Sequence, residues 1–555
     1  MRIGLDVGGT HTDAVLVGTE GLVSIAKVET DRDNLLASVL SAFQQILNDA
    51  DPKKVEAVTL STTLTTNVLL EGKAEEVGVI VSSGPGIDPL LHRAGSHFFA
   101  VDGSIDHRGE ERRPLNKRQL EDAVAEFRGQ GIRAYAVVTK FSTRNPSHEL
   151  LIESAIGREA DIITAGHRVS GGLNFPRRIN TAYFNSAVWR TFNDFAYAVA
   201  EGICGMGLSM PINILKADGG TMTFASSRNL PVQSILSGPA ASIMGVAALC
   251  RIGGDAIILD IGGTSTDIAI FAGGSPLIEP EGISLYGRPT LVRSLRTKSI
   301  AVGGDSVLRA GNGTVTIGPD RLGPCMASGG SRPALIDAFN MVCEIAFGDV
   351  EASRRGISEL AMESGRSAAE IAAIAVEKSV EAIATAVRHM LDELNERPVY
   401  TIHELLHTDK IVPSGLIIIG GPAQAFSRRL SQAFGLEAIV PKVHSVANAV
   451  GAALTRTTMD IELFADTERG VLLVPRLSVN RTIDRNYSGA DARRDAEQYL
   501  LASVGAAESA DAQVIEESSF NMMQGPRLAG RNIRVRSQIK PGLIPAYVNG
   551  VKASC

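Results

Sequence analysis

Residues 6–13 read DVGGTHTD, and residues 260–267 read DIGGTSTD. Six of the eight positions are identical, and the Val/Ile exchange keeps shape and polarity. Each copy follows an apolar segment, RIGL before the first and AIIL before the second, and each leads into another, AVLV and IAIF. Apolar run, glycine turn, apolar run is the pattern of a β-hairpin. The copies stand 254 residues apart, far beyond a solenoid period. They predict two domains of one α/β fold, each offering a turn to a shared ligand.

The turn has its own chemistry. Its glycines give access to φ > 0 and let backbone N–H groups approach an anion without a Cβ in the way. The Thr hydroxyl adds a donor. The leading Asp stands at a strand end, where it can hold a hydrated cation or orient an attacking group. Mg²⁺ keeps several waters and takes one or two carboxylates, a sparse role that Asp6 and Asp260 suit. Two turns converging on one triphosphate and its Mg²⁺ explain the repeat; the alternative is a duplication kept for the fold alone. The candidate nucleotide-binding residues are Gly8, Gly9, Thr10, Thr12 and Asp13 in the first copy. In the second they are Gly262, Gly263, Thr264, Ser265 and Asp267. Asp13 and Asp267 equally suit a structural Asx-type bond that closes each turn. The chain has neither a P-loop nor a G-x-G-x-x-G turn after a strand.

Bulk properties narrow the class. A length of 555 residues allows two or three domains, and 44% hydrophobic with 21% charged residues is ordinary globular composition. Lys and Arg number 54 against 61 Asp and Glu, a net charge of -7 that argues against a nucleic-acid surface. The basic run at 108–113 is broken by Glu110 and Glu111 and reads as a solvated loop. Cys204, Cys250, Cys325, Cys343 and Cys555 are scattered with no C-x-x-C, against a disulfide framework or structural zinc. Cys325 reads as a bystander thiol. No signal-peptide pattern opens the chain, and no apolar run nears the roughly 20 residues of a membrane helix. The expected compartment is the cytoplasm, with no nucleic-acid or membrane partner.

Periodicity predicts strands at 77–81, 134–138 and 415–419, and helices at 35–47, 367–394 and 448–454. Residues 481–513 are polar, Ala-rich and helical in part. Residues 515–548 read as a strand pair turning near Gly525, the second strand alternating apolar and basic residues with one wet face. The expected division is 1–180 with an inserted α/β segment, 181–460, and a 461–555 extension without a functional reading.

Further motifs carry a resemblance. The two turns, Gly420-Gly421-Pro422 and the helix start Ala447-Asn448-Ala449-Val450-Gly451 resemble the phosphate, adenosine and second connecting motifs of the sugar kinase, heat-shock chaperone and actin superfamily. Within it, the chain is similar to the hydantoinase A/oxoprolinase family. The segments at 61–71 (STTLTTNVLLE) and 141–149 (FSTRNPSHE) resemble that family's "TT-x-x-TN-x-LLE" and "FS-x-x-NP-x-HE" segments. Those at 217–220, 236–240, 302–306 and 440–441 match in order, so the resemblance covers roughly residues 1–458. Departures are His11 where Phe is frequent, Asp305 where a further Gly is common, and Ala423-Gln424 in place of a Leu-His after the 420 turn.

The resemblance implies two ribonuclease-H-like domains of actin/hexokinase type around a nucleotide cleft, with a small α+β C-terminal extension. It implies ATP-dependent hydrolysis of a hydantoin, 5-oxoproline or other lactam through phosphorylation of the carbonyl oxygen, with ATP and Mg²⁺ as cofactors. A hydantoinase B-like partner subunit is implied, and a homodimer is expected. Asp6, Asp260, Asp218 and His11 become the candidate catalytic residues, with Asp6 and Asp260 on the metal. Gly303, Gly304, Gly420, Gly421 and Pro422 join the nucleotide set, and Thr62, Thr63, Thr66 and Asn67 the substrate side. His167 and Arg168 either touch substrate or cap their turn. The rival readings are a subunit of an ATP-dependent ketone carboxylase, a small-molecule kinase and a non-catalytic ATP-binding module.

Overall fold

The computed structural model describes every residue except 32, 49–50, 280, 312–313, 321, 343–345, 397–409, 505–511 and 555, so Cys343 and Cys555 lie outside the described residues. The duplicated motif builds duplicated sheets. Arg2–Val7 is buried along its whole length, as its apolar run requires. It pairs antiparallel with His11–Gly18, which puts Asp6 opposite Asp13, and parallel with Ala57–Thr62, which puts Asp6 opposite Ser61. Ala256–Ile261 repeats the arrangement: antiparallel to Thr266–Ala272 with Asp260 opposite Asp267, and parallel to Gly415–Ile419. Gly21–Glu29 extends the first hairpin outward, and Ser275–Pro276 and Thr297–Ile300 extend the second. The fold is therefore α/β with two copies of one sheet topology.

Two helices cross between the sheets, Ser237–Leu249 and Ala447–Leu454. They touch backbone to backbone. A Cβ on Gly245 would lie 2.1 Å from the Ala447 carbonyl oxygen, and one on Gly451 would lie 2.1 Å from that of Ala241. Gly4 in the first strand meets the same helix, its Cβ position being 2.0 Å from the Ala449 carbonyl oxygen. Only hydrogen fits at these three positions.

A parallel sheet of Ile162–Ala165, Ala134–Thr139, Val77–Ser82 and His97–Ala100 is inserted in the first half. The helix Phe175–Gly205 spans both sheets of that half. Its Phe175, Ile179, Ala182 and Ala187 pack in the inserted core, and its Phe192, Ala196, Val199 and Ile203 in the first sheet's core. Near its start, Arg177 Nη1 donates to the carbonyls of Glu281 (2.6 Å), Gly282 (3.1 Å) and Thr290 (2.9 Å) in the second half. A division at 180 would cut this helix, and Ile212–Leu215 and Thr221–Thr223 beyond it complete the first sheet. The first unit thus extends to Thr223, because strand pairing overrides sequence order.

The other elements follow their periodicity closely: helices Leu35–Leu47 and Ala368–Asn395, the latter opened by a Ser367/Glu370 capping box. After residue 460 a five-stranded antiparallel sheet carries the helix Gly489–Val504 on one face. Ala512–Gln524 and Arg527–Ile539 are the expected strand pair, but it stops at Ile539. The chain continues as the helix Pro545–Ser554, whose Asn549-Gly550 imitates a turn in the sequence. Tyr547 and Val551 tuck into the core under Ser237–Leu249. Among the described residues no helix is long and apolar enough to cross a membrane.

Gly451→Ala should lower the melting temperature, since overpacking costs about 1–3 kcal/mol and more where backbone blocks relaxation. Gly253→Ala, which enters open space, is the control and should melt like the parent. Thermal denaturation of the two variants checks this.

Candidate active site

The matched hairpins bring their acids to one point. Asn448, in the first turn of Ala447–Leu454, donates from Nδ2 to Asp6 Oδ2 (3.3 Å) and to Asp260 Oδ2 (3.3 Å). Ser242, on the crossing partner helix, donates to Asp260 Oδ2 at 2.5 Å. Asp6 Oδ1 lies outside the Asn448 bond, and the Ser61 hydroxyl opposite Asp6 favours the charged carboxylate. Burial pushes the Asp6 carboxyl up to about 7, with Asp13 and Asp260 adding to the effect. Burial likewise raises Asp13 and Asp260, and it takes Asp267 up to about 7 with help from Asp260. Ser299 donates to Asp267.

Lys27 faces this group. Its Nζ lies 2.7 Å from Asp13 Oδ1 and 3.3 Å from the Ser445 carbonyl oxygen, so it links the first hairpin to the segment before the crossing helix. Burial and Lys27 lower the His11 imidazole, which is neutral at physiological pH.

Both turns close identically: Gly8 N donates to His11 O at 3.0 Å, and Gly262 N to Ser265 O at 2.9 Å. Their glycines are not in the left-handed region, so the expected φ > 0 is corrected. What Gly263 supplies is room, because a Cβ there would lie 2.5 Å from Asp305 Oδ2 and 3.5 Å from Thr10 Oγ1. The two turns thus face each other. The Gly303-Gly304-Asp305 strip lies on the second turn, with Gly304 N and Asp305 N donating to the carbonyls of Gly262 (2.9 Å) and Gly263 (2.7 Å). A Cβ on Gly304 would meet Pro422 at 2.7 Å. Gly420 has φ 95° and leaves space for the Ile261 carbonyl oxygen, 2.1 Å from its Cβ position. A His does stand at this turn after all: His444 Nδ1 lies 2.7 Å from Gly420 O, supplied from a later segment. Gly421 is open to solvent.

The half-buried Thr10 and Thr264 hydroxyls have no partner among the described residues, and Ser265 closes its turn through its carbonyl. Thr12 is fully buried against Thr30 Oγ1 at 3.0 Å, which takes its hydroxyl away from the cleft. In the Thr-rich segment, the Thr62 hydroxyl caps Leu64 N (3.1 Å) and Thr66 Oγ1 accepts from Leu236 N (3.2 Å). The Thr66 bond holds Leu236 at φ 63°, a strained backbone just before the crossing helix. Thr63 Oγ1 donates to Val7 O (3.3 Å) and accepts from Asn67 Nδ2 (3.3 Å), beside the first turn. Asp218 is engaged elsewhere: it pairs with Lys216 at 3.1 Å and lines a separate pocket. His167 is buried with Nδ1 2.5 Å from Glu149 Oε2, and Arg168 forks onto Glu153. Both belong to the network that holds the inserted sheet, where Arg178 is wholly buried against Thr139, Lys140 and Ser142. Cys325 is buried and its thiol is pushed up to about 11, as suits a bystander.

Among the described residues no group of three or more His, Cys, Asp or Glu side chains is placed to hold a metal ion. Magnesium asks for fewer, and Asp6 Oδ1, which the Asn448 bond does not use, suits it as a ligand atom. The site therefore fits a hydrated cation. Asn448, Ser242 and Lys27 escaped the sequence reading of the site. Asn448 alone left a signal, as part of the 447–451 motif; Lys27 is placed by the strand register that sets it opposite Asp13.

Two family models match the chain: hydantoinase/oxoprolinase over residues 178–461, and the hydantoinase/oxoprolinase N-terminal region over residues 2–160. The alpha subunit of caprolactamase from Pseudomonas jessenii is 26% identical over 506 residues, covering 83% of this chain and 71% of that one. The chain spans 62% or less of the next relatives' own length. The crystal structure of ATP-dependent caprolactamase from the same organism superposes with a TM-score of 0.70 at 18% identity, over 97% of this chain and 87% of that one. Nucleotide-free acetone carboxylase superposes at 0.73 with 15% identity, over 98% and 88%. The matched domains and the paired hairpins agree, and the chain belongs to the hydantoinase/oxoprolinase family.

Proposed function

We propose that this chain binds ATP with Mg²⁺ between its two turns and drives hydrolysis of a small cyclic amide or imide. The observation that carries the reading is the Asp6–Asn448–Asp260 bridge, which brings an acid from each hairpin to one amide. The Thr10 and Thr264 hydroxyls are the donors we assign to the phosphates, and the Gly303–Gly304 strip and the 420 turn flank the nucleotide. Asp6 and Asp260 hold the metal shell, and Lys27 exchanges Asp13 for phosphate charge. Thr63 and Asn67 stand nearest the first turn for substrate contact. Positioning and charge neutralisation are the protein's share.

An amide oxygen is a poor phosphate acceptor until it is well placed. Transfer of the γ-phosphoryl group to the carbonyl oxygen breaks the γ-phosphate bond to ADP and gives an imidate-like ester. Water then adds to that carbon, the ring nitrogen leaves the tetrahedral adduct with a proton and opens the C–N bond, and a second water hydrolyses the resulting acyl phosphate to a carboxylate and free phosphate. The products are ADP, phosphate and a ring-opened amino acid. The caprolactamase relative is a subunit, and we infer that a hydantoinase B-like chain completes turnover here.

A screen of cyclic amides for stimulated phosphate release, with and without a candidate partner chain, tests the proposal; ketones plus bicarbonate form the rival arm. Asp6→Ala and Asp260→Ala should each abolish the stimulated signal, and full turnover in either would overturn these roles.

Protonation gives an independent check. Asp6 and Asp267 titrate near about 7 in the folded protein against an ordinary 3.8. Between those values the folded state holds protons that the unfolded chain has lost, so stability of the nucleotide-free protein should fall as pH rises. Affinity for Mg²⁺·ATP should rise across the same window. Melting curves from about pH 5 to about pH 8 should show a shallower fall in Asp6→Asn than in the parent.

A further inference from the structure

A second charged site lies away from the glycine turns. The C-terminal sheet presents Arg534 and Arg536 on the face opposite its helix, beside the buried Ile533 and Val535. The alternation predicts a wet face, yet these arginines line a cavity of about 340 Å³ closed by the loop at 170–174. That volume lies within the roughly 300–1,000 Å³ of small-molecule sites. A narrow pocket of about 50 Å³ adjoins it through a shared wall of Ser170, Leu291, Asp460, Arg476 and Arg536. No residue of either turn borders them.

Its charges are sorted by depth. The inner pocket gathers Lys216, Arg293, Arg476 and Arg536 around Asp218 and Asp460. Lys216 pairs with Asp218 at 3.1 Å, and Arg476 with Asp460 at 2.7 Å. Two cations remain in excess. Arg293 Nη2 donates to Gln538 at 2.7 Å, but its buried Nε has no partner. The Arg536 side chain makes no hydrogen bond among the described residues and acts on Asp460 only through space. Burial opposes the charge on Asp460, but Arg476, Arg293, Arg536 and Lys216 outweigh it and hold the carboxyl down at about 2. The outer end is the reverse. Arg534 is shared between Glu462 (2.9 and 3.0 Å) and Glu516 (3.1 Å), and Glu281 is exposed at the mouth.

We propose that this cavity binds a small amino acid as its zwitterion, carboxylate on Arg293 and Arg536, ammonium at the rim by Glu281 and Glu516. Charge-assisted bonds to guanidinium are strong and planar-specific, which suits a carboxylate at the inner end. The paired excesses favour one molecule carrying both charges over a simple anion. Opening a cyclic amide yields a molecule of this charge pattern; identifying the ligand with the product rests on the proposed function, whereas the charge argument does not.

Titration calorimetry on the full chain, without nucleotide or magnesium, tests it with three matched probes: ε-aminocaproate, caproate and hexylamine. The zwitterion should bind about ten-fold or more tightly than either single-charge probe. Arg536→Gln should weaken ε-aminocaproate and caproate by a similar factor and leave hexylamine alone. Glu281→Gln, at the exposed rim, should weaken ε-aminocaproate and hexylamine only. Unchanged melting of the unliganded variants shows that they fold. Equal affinity for all three probes, no binding, or indifference to both variants would overturn the proposal. Because no ATP is present, failure here leaves the ATP reading standing, and loss of stimulated phosphate release leaves this site standing.

Discussion

Two helices meet without side chains between them, at Gly245 and Gly451, and the geometry of the acids follows from that contact. Ser242 lies one turn before Gly245, and Asn448 one turn before Gly451. Bringing the helices to backbone distance places a hydroxyl and an amide beside carboxylates that end strands of different sheets. A pair of larger residues would separate the helices by the width of their side chains, and one amide would no longer span both acids. The small residues are thus a distance setting, read out at Asn448.

That setting has an electrostatic cost. Four carboxylates are drawn together, Asp6 and Asp13 buried and Asp260 and Asp267 partly so, and Lys27 and Asn448 offset their charge only partly. Their raised affinity for protons is the measure of what remains. Such a cluster gains from a divalent cation more than a solvated one does, because the cation replaces protons already held at a loss.

Much of this was legible in the sequence. The repeat gave both hairpins, their pairing acids and the two sheets, because a turn and two apolar strands are local patterns. The division at 180 failed because Ile212–Leu215 returns to a sheet left more than a hundred residues earlier, and pairing at that range leaves no local mark. The Thr-rich segment offers hydroxyls, but the Thr62 hydroxyl is spent capping Leu64 and the Thr66 hydroxyl fixing Leu236. Asp218 reads as a spare acid in the sequence, and the fold turns the Lys216 ammonium onto it. The glycines were valued for φ > 0 when their use is clearance, a distinction only the neighbouring turn can reveal.

The helix Phe175–Gly205 carries a mechanical consequence. It is about 46 Å long at 1.5 Å per residue, rooted in the first sheet at one end and bonded through Arg177 to the opposite half near the other. A strut anchored on both banks limits how far they can part. Wide clamshell opening would have to tear Arg177 from three carbonyls and break the Asn180–Pro289 and Thr181–Leu291 bonds beside it, so this segment resists separation of the two halves.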